Sequence, residues 1–60
     1  MEKFIETYTH SVDAENRMAF LNVLGGVEDV SLELPVYPGK MIYNVIYRSE
    51  TKVPKIKFED

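Results

Sequence analysis

The spacing of apolar residues changes period once along this chain. Between residues 13 and 24, Ala14, Met18, Leu21 and Leu24 recur at helical spacing, Phe20 and Val23 widen the stripe, and Glu15, Asn16, Arg17 and Asn22 supply the wetter side. From Val30 the period drops to two, with Val30, Leu32, Leu34 and Val36 alternating with Ser31, Glu33, Pro35 and Tyr37. Gly25 and Gly26 mark the change, because glycine takes positive φ without a Cβ penalty and suits a helix end. At the helix start Asp13 is the expected N-cap, its carboxylate accepting from free amides.

The remaining segments read as strands. Residues 4–11 hold Ile5, Thr7, Tyr8 and Thr9, which fit a pleated, partly covered surface. Residues 30–37 and 41–48 flank Tyr37-Pro38-Gly39-Lys40, a turn in which Pro presets one position and Gly permits the next. A turn centred on Pro38-Gly39 sets Leu34 against Tyr43, Leu32 against Val45 and Val30 against Tyr47. Ile42 and Ile46 make the third strand apolar on its second face too, so it belongs in the centre, giving the order one, three, two. The expectation is an α+β fold with βαββ topology: one helix on a small antiparallel sheet. After Pro54, Lys55-Ile56-Lys57-Phe58 offers a short additional strand or an exchanged tail within residues 50–60.

At 60 residues the chain makes a single small domain (1–60), near the length at which one core barely offsets chain entropy. It has no cysteine, hence no disulfide or thiolate metal site, and self-association is the remaining source of extra burial. Cysteine absence and the lack of a long apolar run fit a cytoplasmic protein that does not enter membranes. The net charge of -3 argues against nucleic-acid binding, which needs clustered Lys and Arg. Acids dominate the first half through Glu2, Glu6, Asp13, Glu15, Glu28 and Asp29, while the second half is mildly basic.

Candidate chemistry is sparse. His10, three residues before Asp13, is the lone histidine, and the two make the weak candidate for a metal or small-ligand site. The serines have no nucleophile-elbow motif around them, Glu28-Asp29 supplies too few oxygens for a cation, and Gly25-Gly26 ends a helix, whereas phosphate loops precede one. No cofactor and no catalytic site are expected.

The stretch from Thr9-His10-Ser11-Val12-Asp13 through the helix to Leu24-Gly25-Gly26-Val27-Glu28-Asp29-Val30 resembles the first half of heavy-metal-associated domains, which have a ferredoxin-like fold. The resemblance implies βαββ topology. It does not carry soft-metal transfer, since His10 and Asp13 stand where that family has its two cysteines. The functional expectation is therefore a noncatalytic protein-binding or regulatory module, homodimeric through its sheet, with Ile42, Tyr43, Ile46, Ile56 and Phe58 as contacts. The competing expectations are an acidic inhibitor of phage or mobile-element type, presenting Glu2, Glu6, Glu15, Glu28 and Asp29 to a basic site, and a ligand carrier using His10 and Asp13.

Overall fold

A computed structural model describes residues 1–35, 39 and 41–55. Its elements are β1 (Glu2–Tyr8), α1 (Ser11–Val23), β2 (Val27–Glu33) and β3 (Tyr43–Ser49). The sheet runs β1-β3-β2, with both outer strands antiparallel to β3. The α+β class, the βαββ order and the central third strand stand as the residue pattern implies. This arrangement is loosely compatible with half of a ferredoxin-like fold. The centre of the hairpin turn at Val36, Tyr37, Pro38 and Lys40 lies outside the described residues, as do Ile56, Phe58 and the extra strand expected around them.

One face of the sheet is covered by α1. Tyr43, Val45, Tyr47 and Ser49 alternate inward along β3, and with Ala14, Leu21 and Val53 the three apolar ones form the buried core. Phe4, Tyr8, Met18, Phe20, Val27, Val30 and Leu32 pack around that core. Phe4 lies opposite Tyr47 across the β1–β3 ladder, the ring centroids 5.4 Å apart in a tilted contact.

Several boundaries move from the sequence reading, each for a local reason. The helix begins at Ser11 and its N-cap is His10, with extended φ and ψ and no side-chain cap bond; Ala14 N–H donates to the His10 carbonyl. Asp13 is thus not the cap but a first-turn acid, placed at the positive end of the helix dipole. Val23 does not widen the buried stripe: it is 83% exposed, because the stripe centred on Ala14, Arg17 and Leu21 points elsewhere. At the far end Leu24 N–H donates to the Leu21 carbonyl, and Gly26, at φ 84, makes the reversal.

The second strand starts three residues earlier than its alternation suggests and carries a bulge. Ser31 pairs with Ile46 and Leu32 with Val45, as the turn-centred register requires, but Glu28 pairs with Arg48. Asp29 and Val30 therefore fill the space opposite Tyr47 alone, and Asp29 adopts φ 53. An extra residue in a left-handed conformation bends the strand and aims its side chain anew; here Asp29 Oδ2 accepts from Arg48 Nη1 at 3.2 Å. Leu34 lies past the strand end and is 62% exposed, so its expected pairing with Tyr43 is absent from the ladder.

The left-handed conformation at Asp29 yields a direct test. Asp29→Val should destabilise the fold by about 1–2 kcal/mol, the cost of a Cβ-branched side chain in that region, whereas Asp29→Asn should be close to neutral. Urea denaturation of the two variants decides it, and equal losses would mean the bulge is not strained by side-chain shape.

Candidate functional site

Two chemically distinct regions result from this fold: a polar cluster inside the covered layer and an open sheet face on the other side. The cluster begins with alternation along β1. Phe4, Glu6 and Tyr8 face the helix, which brings a carboxylate under α1, and Arg17 lies on the buried helix stripe between Ala14 and Leu21. Both charged residues are buried, at 3% and 8% exposure. Arg17 is thus not on the wet side of the helix and Glu6 is not a surface acid: both belong to the interior stripes by position.

Their geometry is bidentate. Arg17 Nε donates to Glu6 Oε1 at 2.8 Å and Nη2 donates to Oε2 at 2.9 Å. The guanidinium continues outward, Nη2 donating to the Val53 carbonyl at 2.7 Å and Nη1 to the Pro54 carbonyl at 3.1 Å. Tyr8 Oη donates to Glu6 Oε1 at 2.8 Å, and Val53 N–H donates to Tyr47 Oη at 3.1 Å. Lys55 stands with its ammonium 4.8 Å from the centre of the Tyr8 ring. The guanidinium fork suits this role because its planar donors satisfy a carboxylate and two carbonyls at once.

Among the described residues no buried side-chain nitrogen or oxygen lacks a partner. Burial acts most strongly on Glu6 and pushes its pKa up, but hydrogen bonds from Arg17 and Tyr8, with the charges of Arg17 and Lys55, outweigh it and hold the carboxyl below its ordinary range. Tyr8 is pushed up to about 12 by burial, then by its bond to the Glu6 carboxylate and that group's charge. Arg17 is held above its usual value by the Glu6 hydrogen bond, against the opposing effect of burial. Three hydrogen bonds occupy most of the acceptor capacity of this carboxylate, and with the guanidinium bonds to the carbonyls of Val53 and Pro54 the cluster joins β1, α1 and the segment at residues 53–55.

The second region is the face that α1 leaves uncovered. Lys3, Ile5 and Thr7 of β1 lie beside Arg48, Ile46 and Asn44 of β3, which lie beside Glu28, Ser31 and Glu33 of β2. Ile5 is 60% exposed, Ile46 is half-buried and Ile42, just before β3, is 39% exposed. At one end Thr7 Oγ1 donates to Asn44 Oδ1 and Asn44 Nδ2 donates to Glu33 Oε1, both at 2.9 Å. At the other end Arg48 bridges to Asp29.

Of the expected contact residues, then, Ile42 and Ile46 are accessible, while Ile56 and Phe58 lie outside the described residues. Tyr43 is not available: only 9% exposed, it alternates into the core beside Val45, and its hydroxyl approaches Met41 Sδ at 3.9 Å. The acidic set is divided. Glu2, Asp13, Glu15 and Glu28 are exposed, Glu6 is interior, and Asp29 is engaged by Arg48. His10 and Asp13 are both exposed, and no group of three or more His, Cys, Asp or Glu side chains suited to a metal occurs among the described residues. No described helix is long and apolar enough to cross a membrane.

Sequence reasoning missed the Glu6–Arg17 pair although a signal for it existed. Each residue interrupts an otherwise apolar inward stripe, one at period two and the other at helical spacing, and opposite charges on facing stripes are an interpretable pattern. No protein-family model matches this chain, and neither the curated proteins nor the solved structures gave a match.

The cluster sets two expectations. Arg17→Met should cost about 3–5 kcal/mol, since it strands a buried carboxylate, and Glu6→Leu/Arg17→Met should recover part of that loss in urea melts; a double variant no better than the single one would show that the carbonyl contacts matter more than the charge pair. For pH, Glu6 contributes stability above its ordinary value of 4.5 that is lost as pH falls through its lower folded value. Tyr8 contributes stability below 10.0 that is lost as pH rises toward about 12. Glu6→Gln should flatten the acid limb of the stability profile and Tyr8→Phe should shallow the alkaline limb; unchanged limbs would remove these groups as the source.

Proposed function

We propose that this protein is a small noncatalytic binding and regulatory module that works by docking the open face of its sheet on another protein surface. The observation that carries the reading is the row of Ile5 and Ile46 at the centre of a sheet that, among the described residues, has a helix on one side only. A domain of this size cannot cover two sheet faces with one helix, and apolar side chains left in the middle of the second face gain by being covered.

Two features favour docking over chemistry. The charged groups of the interior are consumed by one another and by the carbonyls of Val53 and Pro54. The open face, by contrast, is a regular surface rimmed with charges of both signs, Lys3, Arg48, Glu28 and Glu33, around an apolar middle, the anatomy of a small protein interface. The acidic-inhibitor reading has weaker support because its residues are spread over the strand edge, the helix and the open face.

The reading is tested by isolating the tagged full chain from its own cells beside two variants, Ile46→Asp on the open face and Glu15→Lys on the helix surface. Native mass spectrometry should find wild type and Glu15→Lys in the same complex and Ile46→Asp released from it, with circular dichroism unchanged in all three and little effect of salt from 50 to 300 mM. A complex that keeps Ile46→Asp, or one that dissociates with salt, would overturn the sheet-face reading and bring the acidic surface forward.

A further inference from the structure

We infer that the partner on the open face is a second copy of this chain, stacked face to face about a two-fold axis that runs along the strands, so that β1 of each copy lies over β2 of the other. The inference rests on the open face being the docking surface, and it adds who docks there and in which orientation. Its basis is the map of that face. Across the sheet its rows read Lys3–Arg48–Glu28, then Ile5–Ile46–Ser31, then Thr7–Asn44–Glu33.

The map is asymmetric in both charge and relief. Its acids are all on β2, as Glu28, Asp29 and Glu33, and its cations are on β1 and β3, as Lys3 and Arg48. The central row has a prominent side chain at one end, Ile5 at 60% exposure, and a small one at the other, Ser31. A closed dimer must use the same patch on both copies, so only arrangements that map this face onto itself qualify.

Two such stackings keep the strands roughly aligned, as packed sheets prefer. With the axis across the strands, each strand covers its own counterpart. Glu28 then faces Glu33 of the other copy, Ile5 meets Ile5, and Ser31 faces Ser31 over a void. With the axis along the strands, Lys3 faces Glu28 at both edges, Ile5 lies over the small Ser31, Thr7 meets Glu33, and the β3 residues meet their own counterparts at the axis, Ile46 on Ile46 and Arg48 over Arg48, the latter with its charge partly offset by Asp29 of its own chain. Relief selects the second arrangement, and charge does so on balance: two Lys3–Glu28 pairs are set against one Arg48–Arg48 contact that Asp29 partly neutralises, where the first arrangement has two Glu28–Glu33 contacts and no opposite-charge pair. Like charges placed directly opposite are costly and unfilled hollows forfeit contact.

The face is small. Seven residues at about 3.3 Å and three strands at about 4.8 Å span roughly 23 by 14 Å, about 300 Å² of footprint per copy, which is low against the about 800 Å² per partner of a standard interface. The dimer is accordingly a reversible one that responds to protein concentration, a property suited to a regulatory module.

The absence of cysteine makes the test clean, because single cysteines can be introduced at exposed positions without competing thiols. Full-length Ile5→Cys and Ser31→Cys are prepared separately and mixed, then oxidised over a range of protein concentrations, with sedimentation equilibrium run in parallel on the unmodified chain. The expected result is a disulfide-linked dimer at least tenfold more abundant in the mixture than in either variant alone. Lys3→Glu and Glu28→Lys should each weaken self-association and recover it when mixed. Self-linking of Ile5→Cys alone would overturn the axis while leaving the second copy in place. A chain that stays monomeric to millimolar concentration and gives no cross-link would overturn the second copy. The docking reading itself would still stand if a different companion were released by Ile46→Asp, and would fall if none were.

Discussion

The ion pair between Glu6 and Arg17 is the constraint on which the two layers depend, because each charge sits where solvent cannot reach it and each makes the other tolerable. Removing two ions from water is expensive, and only close bidentate geometry with further hydrogen bonds offsets that cost. Here the further bonds come from Tyr8 on β1 and from the carbonyls of Val53 and Pro54. The pair therefore favours one alignment of helix on sheet: a shift of α1 by one turn would leave both charges buried and unpaired, and a slip of β1 by one residue would turn Glu6 to the open face and leave Arg17 buried alone. An apolar pair at these positions would hold the layers together without choosing among alignments.

The same interaction explains how a short chain covers a sheet wider than its helix. The helix packs more closely over β2 and β3 than over β1, so it does not by itself cover the inward side of β1. The segment from Val53 to Lys55 crosses the cluster there, placing Val53 in the core and the Lys55 ammonium on the Tyr8 ring. This segment is held by the backbone groups that Arg17 and Tyr47 bind. The polar interior is thus spent on architecture, and the sheet face opposite α1 is left uncovered by the helix.

Local patterns determined much of this without the structure. The switch from helical to period-two spacing at Gly25-Gly26 located the helix and the following strand. The two-sided apolar character of the segment around Ile42 and Ile46 identified the central strand, and with it the order β1-β3-β2. Those inferences hold because they rest on periodicity, which the backbone imposes residue by residue. The exposure of Ile46 on the second face was legible for the same reason.

What the tertiary structure decided are the features that need two distant segments at once. Neither the facing of Glu6 by Arg17 nor the capture of the Val53 and Pro54 carbonyls is encoded in any short window, so Arg17 reads as solvent-facing until β1 is beneath it. The bulge at Asp29 and Val30 is equally nonlocal, since it is defined by the single residue Tyr47 across the ladder. Tyr43 has the composition of an interface residue and becomes a core residue only because strand alternation, once β3 is paired, turns it toward α1. Sequence alone determined which segments are helix and strand, because backbone geometry is local; the closure of the two layers fixed which charges are hidden and which face stays open, because desolvation depends on everything packed around a residue.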